Sequence, residues 1–117
     1  FHLHMLGEIG KESYIVDSSI HRSFYRAIVV HGTHGSTVSR NVAFDIIGHA
    51  YYMESGHEER NEFSFNLGAF VHPIGPQYFS GQFNDNVDQN ANLRVPADIT
   101  ASPFYITNLA NNITGNA

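Results

Sequence analysis

The sequence contains no cysteine and no tryptophan, and only 15% of its 117 residues are charged. Without cysteine, a disulfide framework and a thiol nucleophile are both excluded. Lys and Arg number six against eleven Asp and Glu, so the formal net charge is −5. This leaves no basic stripe to bind a nucleic-acid backbone or an anionic membrane surface. We expect no nucleic-acid partner and, because polar residues interrupt every apolar stretch, no direct membrane insertion.

Strand-forming residues, by contrast, are plentiful. Hydrophobic residues make up 42% of the chain, with nine Phe and six Tyr, a composition that favours strands over solvated helices. No segment combines the i, i+3, i+4, i+7 apolar spacing of a helix with capping signals. The chain starts and stops within apolar patterns. We therefore expect an all-β fragment of a larger protein.

Short apolar segments recur at a nearly constant spacing. An alignment of residues 20–24, 42–46, 63–67 and 113–117 puts Ile20, Val42, Phe63 and Ile113 in one inner column, at spacings of 22, 21 and 50. A second strand follows each of these segments or precedes the last one. These second strands cover residues 27–31, 50–54, 69–72 and 103–107, and residues 1–6 fit as the second strand of a preceding repeat.

This repeat predicts a solenoid. One strand pair cannot bury its apolar face alone, whereas stacked coils of about 20 residues bury a continuous core. We predict a right-handed parallel β-helix of about four to five rungs, forming a single domain over residues 1–117. A long loop over residues 73–96 is inserted between rungs, since this Gly-, Asn- and Gln-rich stretch breaks the pattern.

One polar column accompanies the apolar columns. It consists of Ser23, Asp45, Asn66 and Asn116. Asn and Asp tolerate unusual backbone angles at turns, so we predict a side-chain ladder at a corner of the solenoid. Stabilisation of the fold is the favoured role of this column, and catalysis is the alternative.

Several motifs resemble one family of large extracellular proteins. The segment at residues 2–8 reads HLHMLGE and resembles that family's His-x-His-hydrophobic-x-Gly-Asp segment. Further matching segments, in the same order, are SSIHRSFYRA at 18–27, VHGTHG at 30–35 and GHAYYMESG at 48–56. The family comprises fibrocystin, its fibrocystin-like relative, the cell-migration-inducing hyaluronan-binding protein and its transmembrane relative, all with a G8 domain.

The resemblance implies the parallel β-helix region that follows the G8 domain, in an extracellular, cell-surface or ciliary ectodomain. Fibrocystin-type members are receptor-like, whereas hyaluronan-related members are linked to hyaluronan depolymerisation. Arg26-Ala27 stands where hyaluronan-related members carry Cys, and Glu8 replaces the usual Asp. We therefore favour a non-catalytic structural or interaction module, with part of a hyaluronan- or polysaccharide-degrading enzyme as the alternative.

A metal site is one candidate for chemistry. His2 and His4 are two residues apart, so on a strand both imidazoles point to the same face. Glu8 or His31 would supply the third ligand of a divalent metal, because such sites need three or four converging ligands. The alternative is that no cofactor binds and the histidines are structural.

A glycan-binding strip is a second candidate. If the apolar residues Ile28, Tyr51, Phe70 and Phe104 of the second strands point inward, then alternate residues face outward. His31, Tyr52, Glu54 and Tyr105 then share one exposed face. Tyrosine rings there would stack on sugars, while the polar groups would bind hydroxyls; the alternative is an ordinary solvated face. The expected partners are neighbouring rungs, other extracellular chains and a glycan.

Enzymatic activity would require a pair of carboxylates about 5–9 Å apart. Glu8, Asp45 and Glu54 are the candidate catalytic acids, whereas Glu58 and Glu59 resemble a solvated turn. Nothing in the sequence determines how far apart these carboxylates lie. Asn112-Ile113-Thr114 is a glycosylation sequon, which predicts a modified asparagine in a secreted protein.

Overall fold

A computed structural model describes residues 1–73 and 101–117. The described part of the chain is all-β, as predicted, with one short 3₁₀ helix at Glu8–Glu12. Its strands form three sheets in which every pairing is parallel. No helix in these two ranges has the length and apolar character required to cross a bilayer.

Each sheet collects strands from distant parts of the chain. Sheet 1 contains β1 (His2–Gly7), β4 (Ile28–Thr33), β7 (Tyr51–Met53) and β10 (Phe104–Tyr105). Sheet 2 contains β2 (Tyr14–Val16), β5 (Thr37–Ser39), β8 (Glu62–Ser64) and β11 (Asn112–Thr114). Sheet 3 contains β3 (Ser19–Ser23), β6 (Val42–Ile47) and β9 (Leu67–His72). From β2 to β10 the described strands belong to sheets 2, 3 and 1 in that order, three times over.

The predicted inner column is wrong except for Phe63 and Ile113, which pair in sheet 2. Ile20 lies opposite Ala43, Val42 lies opposite Ser19 and Leu67, and Phe63 belongs to sheet 2, opposite Val38. A one-residue slip in register moves a side chain to the other face of a sheet, and Val42 is accordingly exposed while Ala43 is fully buried. The error arose because two short strands went unrecognised, β2 and β5, of which β5 begins with Thr37 and ends with Ser39.

The apolar rows run across the sheets. In sheet 2 the row is Ile15, Val38, Phe63 and Ile113. In sheet 1, Ile28, Tyr51 and Phe104 face inward, as predicted. Phe70 was expected in the same row, but it lies on β9 of sheet 3 and is 61% exposed. Paired residues are 23 to 25 positions apart where β2, β5 and β8 meet, rather than 21 or 22.

The buried Tyr51 ties this core to a corner of the fold. Its hydroxyl donates to the carbonyl oxygens of Asn41 and Leu67, at 3.0 and 3.2 Å. Burial raises the pKa of Tyr51 well above its usual value, so the phenol stays protonated and can donate. Its ring stacks on Phe104 with centroids 4.7 Å apart. One side chain thus joins sheet 1 to the chain segments entering sheet 3.

An asparagine ladder forms the corner between sheets 2 and 3. The backbone N–H of Asn41 donates to Asn66 Oδ1 at 3.0 Å, and that of Asn66 donates to Asn116 Oδ1 at 2.9 Å. Each of these asparagines follows a residue of positive φ, namely Arg40, Phe65 and Gly115. In all three, Nδ2 donates to a backbone carbonyl of sheet 2. The ladder therefore satisfies backbone groups that the corner would otherwise leave without partners.

The predicted polar column is half right. Asn66 and Asn116 belong to the ladder, together with Asn41 and with Ser18, whose N–H donates to Asn41 Oδ1. Ser23 does not belong, because its hydroxyl donates to the carbonyl of Arg26 at 2.5 Å. Asp45 lies in sheet 3 and accepts from His72, so neither residue stacks over the asparagines.

A second ladder forms the corner between sheets 1 and 2. Ser36 N–H donates to Asn61 Oδ1, and Asn61 N–H donates to Asn111 Oδ1, both at 2.9 Å. Asn61 Nδ2 donates to the Thr33 carbonyl at 3.0 Å. Each member precedes a member of the first ladder by five residues. The predicted loop at 73–96 lies outside the described residues except for Pro73.

Candidate functional site

His2 and His4 occupy one face of β1, as the strand alternation predicted. Both side chains are exposed, and His4 Nδ1 lies 3.3 Å from His2 Nε2. The backbone leaves the regular strand at Met5, where φ is 55°, and the register with β4 shifts between His4 and Gly7. Both imidazoles therefore lie on the regular part of β1, which precedes Met5.

The register of sheet 1 brings in a third imidazole. His31 on β4 lies directly opposite His4, and their Nδ1 atoms are 3.2 Å apart. One ligand nitrogen from each of His2, His4 and His31 lies within 4.8 Å of the others. These three residues are called the histidine cluster. Of the two predicted third ligands, the structure brings His31 to the pair.

A carboxylate completes this group. Glu54 directly follows β7, and its Oε2 lies 3.7 Å from both His2 Nε2 and His31 Nδ1. Arg26 Nη1 is 4.0 Å from the same oxygen. His31 and Glu54, which the sequence places on one face, therefore lie side by side, at a distance longer than a hydrogen bond. Three neighbouring strands of sheet 1 thus supply three imidazoles and, just past β7, one acid.

The environment of His2 favours a neutral ring. Burial lowers its pKa, the charge of Glu54 raises it, and the charges of His4 and His31 lower it, with a net decrease from the ordinary value near 6.5. The neutral imidazole is the form that binds metal ions through a ring nitrogen. A shallow cleft of about 400 Å³ adjoins the cluster. It is lined by Phe1, His2, Tyr25, Arg26, Ala27, Val29 and Glu54.

The expected strip of exposed tyrosines is different in the structure. Tyr52 and Tyr105 do share a row of sheet 1, but Tyr52 is only 3% exposed. Its ring stacks on His49 at 5.2 Å, and the Arg26 guanidinium lies 3.6 Å from its centroid. The expectation that Tyr52 is open for stacking on a sugar is therefore wrong. Tyr105, which packs on His49 and Tyr52, is partly buried.

The three candidate acids lie in separate places. Glu8 Oε1 accepts from Arg60 Nη2 at 2.5 Å, and Arg60 also pairs with Glu59. Asp45 accepts from His72 Nε2 at 2.8 Å, while Glu54 lies with the histidine cluster. Glu8 therefore does not join His2 and His4, because the 3₁₀ helix that begins at Glu8 directs it toward Arg60. Each of these carboxylates has a cationic or imidazole partner of its own.

Glu58 is an acid whose environment was predicted wrongly. It is fully buried, not part of a solvated turn. Its carboxylate accepts from the backbone N–H groups of Gly32, Ser55 and Gly56 at 2.8 to 3.0 Å. Burial raises the pKa of Glu58, but these hydrogen bonds outweigh that effect and hold the pKa below 4.5. The structure thus uses this acid to hold the chain together beside the end of β4.

Asn112 is exposed at the start of β11, as a glycan would require. Its Oδ1 accepts from the Thr114 hydroxyl at 2.9 Å, so the two polar residues of the sequon lie on the same side of the strand. Modification of Asn112 remains a prediction.

Comparison with known proteins identifies the family to which the chain belongs. A family profile described as CEMIP beta-helix matches residues 1–117. The chain belongs to the CEMIP beta-helix family. The resemblance found in the sequence is thereby confirmed.

The relatives of this CEMIP beta-helix chain include a G8 domain-containing protein of Dictyostelium discoideum, 51% identical over 116 residues. Fibrocystin-L of Mus musculus is 36% identical and that of Homo sapiens 34% identical, each over 116 residues. These matches cover 98 to 99% of the chain but only 8% of the Dictyostelium protein and 2% of fibrocystin-L. No solved structure matches the chain significantly.

One sequence signal in this CEMIP beta-helix chain would have corrected the register. Asn61 and Asn66 are five residues apart, as are Asn111 and Asn116, and the two pairs are 50 residues apart. Ser36 and Asn41 repeat the spacing 25 residues earlier. Alignment on these polar positions, rather than on apolar residues that occur on both faces, recovers the observed ladders. The burial of Glu58 has a weaker signal, a Ser-Gly turn just before the acid.

Proposed function

We propose that the chain is a segment of a right-handed parallel β-helix of about four to five rungs. The repeated visiting order of sheets 2, 3 and 1 supports this, as does the parallel register of every described ladder. Crossovers between parallel strands are almost always right-handed. Two asparagine ladders at the corners support it further, since such ladders require equivalent residues to stack.

Its proposed role is that of a non-catalytic structural and interaction module in a large extracellular or cell-surface protein. The observation that carries this is that each of the three candidate acids pairs with a different group. Glycoside hydrolysis needs one acid to protonate the leaving oxygen and a second to act as nucleophile or base. Here Glu8, Asp45 and Glu54 each have different partners. Neighbouring rungs and other extracellular chains are the proposed partners.

Family membership supports the proposed setting. The resemblance to fibrocystin-type proteins implies an ectodomain, in which the exposed Asn112 would carry a glycan. A glycan partner would meet His31, Glu54 and Tyr105 beside the cleft, with Tyr52 as packing beneath them. Expression through a eukaryotic secretory pathway, followed by mass spectrometry, tests the modification. An unmodified Asn112 in secreted protein would remove the glycoprotein part of the proposal.

Hyaluronan incubation with the full chain, followed by sizing of the products, tests the absence of catalysis. We expect unchanged polymer length with calcium, with zinc and with a chelator. The competing function is part of a hyaluronan-degrading enzyme. Shorter products that disappear in the Glu8→Gln or Glu54→Gln variant would overturn the non-catalytic role and establish that alternative.

A further inference from the structure

We propose that His2, His4, His31 and Glu54 form a binding site for one divalent transition-metal ion of the zinc type. The site goes beyond the scaffold role, because a β-helix core needs no imidazoles on its outer face. The histidine cluster supplies three nitrogen ligands and Glu54 supplies one oxygen ligand.

The spacing of the ligand atoms fits a tetrahedral ion. Zinc–nitrogen bonds of about 2.0–2.1 Å place neighbouring ligands of a tetrahedron about 3.3–3.4 Å apart. His4 Nδ1 lies 3.3 Å from His2 Nε2 and 3.2 Å from His31 Nδ1. Glu54 Oε2 lies 3.7 Å from both His2 Nε2 and His31 Nδ1. The nitrogens of His2 and His31 lie within 4.8 Å of one another, so these rings would move together by up to about 1.5 Å, and Glu54 by a few tenths of an ångström, to complete the tetrahedron.

Hydrogen bonding alone does not use these atoms well. A ring nitrogen carries either one hydrogen or one lone pair, so it makes one good hydrogen bond. Nevertheless, two ring nitrogens approach His4 Nδ1 to within 3.3 Å. A metal ion would take the lone pairs of all three nitrogens at once. Three imidazoles and a carboxylate form a donor set that suits zinc, and imidazole also suits copper and nickel.

The local charges allow a cation to bind. Neutral imidazoles contribute no charge, and Glu54 contributes one negative charge. The Arg26 guanidinium, 4.0 Å from Glu54 Oε2, opposes a cation. It also lies over the Tyr52 ring, 3.6 Å from the ring centroid. Since Arg26 cannot act as a ligand, its role would be to position Glu54.

The parallel ladder holds the ligands before any ion arrives. His2 and His4 are fixed by the alternation of β1, and His31 by its position opposite His4. Val30 pairs with Met53, so Glu54 continues β7 alongside His31. His2 and Glu54 also line the cleft, which leaves an ion accessible from solvent. A site on adjacent strands of one sheet loses little conformational freedom on binding.

The test is zinc binding by the tag-free full chain after treatment with a chelator, measured by isothermal titration calorimetry. We expect one equivalent of Zn²⁺ to bind and the melting temperature to rise with the concentration of zinc. His4→Ala should weaken binding by more than about 100-fold, because even groups around a metal's ligands contribute 10- to 100-fold. Glu54→Gln should weaken it about tenfold. X-ray absorption of the zinc-loaded chain should show three imidazole ligands.

His21→Ala is the matched control, because His21 is an exposed strand histidine on β3 that is outside the cluster. It should bind zinc as the unchanged chain does. Binding of no more than a nonspecific trace by the unchanged chain would overturn the site. Equal affinity in His4→Ala and His21→Ala would overturn it as well. Unaltered affinity in Glu54→Gln would remove Glu54 from the ligand set. Hyaluronan degradation, the test of the scaffold role, does not enter this experiment.

Discussion

The asparagine corners and the histidine cluster both place like residues side by side on consecutive turns of chain, yet they differ in geometry. In the corners, each asparagine Oδ1 accepts from the backbone N–H of the preceding member of the ladder, and each Nδ2 donates to a backbone carbonyl. In the cluster, ring nitrogens of three residues converge on one another. A carboxamide oxygen has two lone pairs and its nitrogen two hydrogens, so Asn66 accepts twice from Asn41 while its Nδ2 donates to Val38 and Asn116.

Burial reinforces this contrast. Asn41, Asn61 and Asn66 are each no more than 1% exposed and fully hydrogen-bonded, whereas His2 and His4 face solvent. A buried polar group that loses its partner costs about 1–3 kcal/mol, while an exposed one finds water. Stacked polar residues therefore serve the fold where they are buried. Where they converge at the surface they remain available to a ligand.

Removal of a corner amide should have the largest effect on folding. Asn66→Ala would leave the N–H of Asn41 and the carbonyl of Val38 without their partners. We expect the free energy of unfolding to fall by about 3 kcal/mol, the sum of the costs of these buried groups. Urea denaturation followed by circular dichroism measures the loss.

Asn112→Ala is the control for this change, because Asn112 is exposed. It should alter the free energy of unfolding by less than about 0.5 kcal/mol. Similar losses in the two variants would show that burial in the ladder does not distinguish them.

Glu58→Gln tests an acid that is buried like the ladder asparagines but ionisable like the clustered histidines. Its amide would present hydrogens to N–H groups that now meet a carboxylate. We expect a loss of about 2 kcal/mol in the free energy of unfolding near neutral pH, since hydrogen bonds to charged groups contribute about 1.5–3 kcal/mol. Urea denaturation at several pH values measures this loss.

The same variant predicts a change in pH dependence. The folded pKa of Glu58 lies below 4.5, so the unfolded chain binds more protons in the window beneath that value. The carboxylate's stabilisation is therefore complete above about pH 4.5 and disappears as the pH falls through the folded pKa. Glu58→Gln should flatten this slope, whereas Glu12→Gln, at an exposed site, should keep it. An unchanged slope in Glu58→Gln would contradict the assignment.

His4→Ala should have the smallest effect on folding when a chelator is present. The ring is exposed, so water replaces its contacts and the free energy of unfolding should change by less than about 0.5 kcal/mol. Chemical denaturation of the metal-free chain checks this. A loss near 2 kcal/mol would mean that the histidine cluster supports the fold as the asparagines do.

Much of the architecture could be predicted from the sequence, but its register could not. Recurring Val, Ile, Phe and Tyr between Gly and Asn indicated strands, and the motif order indicated the family. Val42 and Ala43 show why the register failed, because both are apolar, yet one faces out and the other in. Apolar identity does not assign a face in a sheet that exposes Val42, Phe44 and Leu67. The asparagine spacing carried the missing information.

The candidate site was predictable only within a strand. The alternation of side chains put His2 and His4 on one face from sequence alone, whereas Glu8 and His31 stood as equal choices for a third ligand. The pairing of β1 with β4 decided between them. Other tertiary contacts bury Tyr52 under Arg26 and pair Glu8 with Arg60.

The sequence by itself determined the all-β class, the family and the local pairing of His2 with His4. These depend on composition, on ordered motifs and on the two-residue period of a strand, all of which are local properties. The tertiary structure alone decided which residues stack 23 to 25 positions apart, which acids lie near imidazoles and which tyrosine is covered. Those outcomes depend on how many residues lie between a strand and the strand that pairs with it. That number is set by packing and not by any single segment.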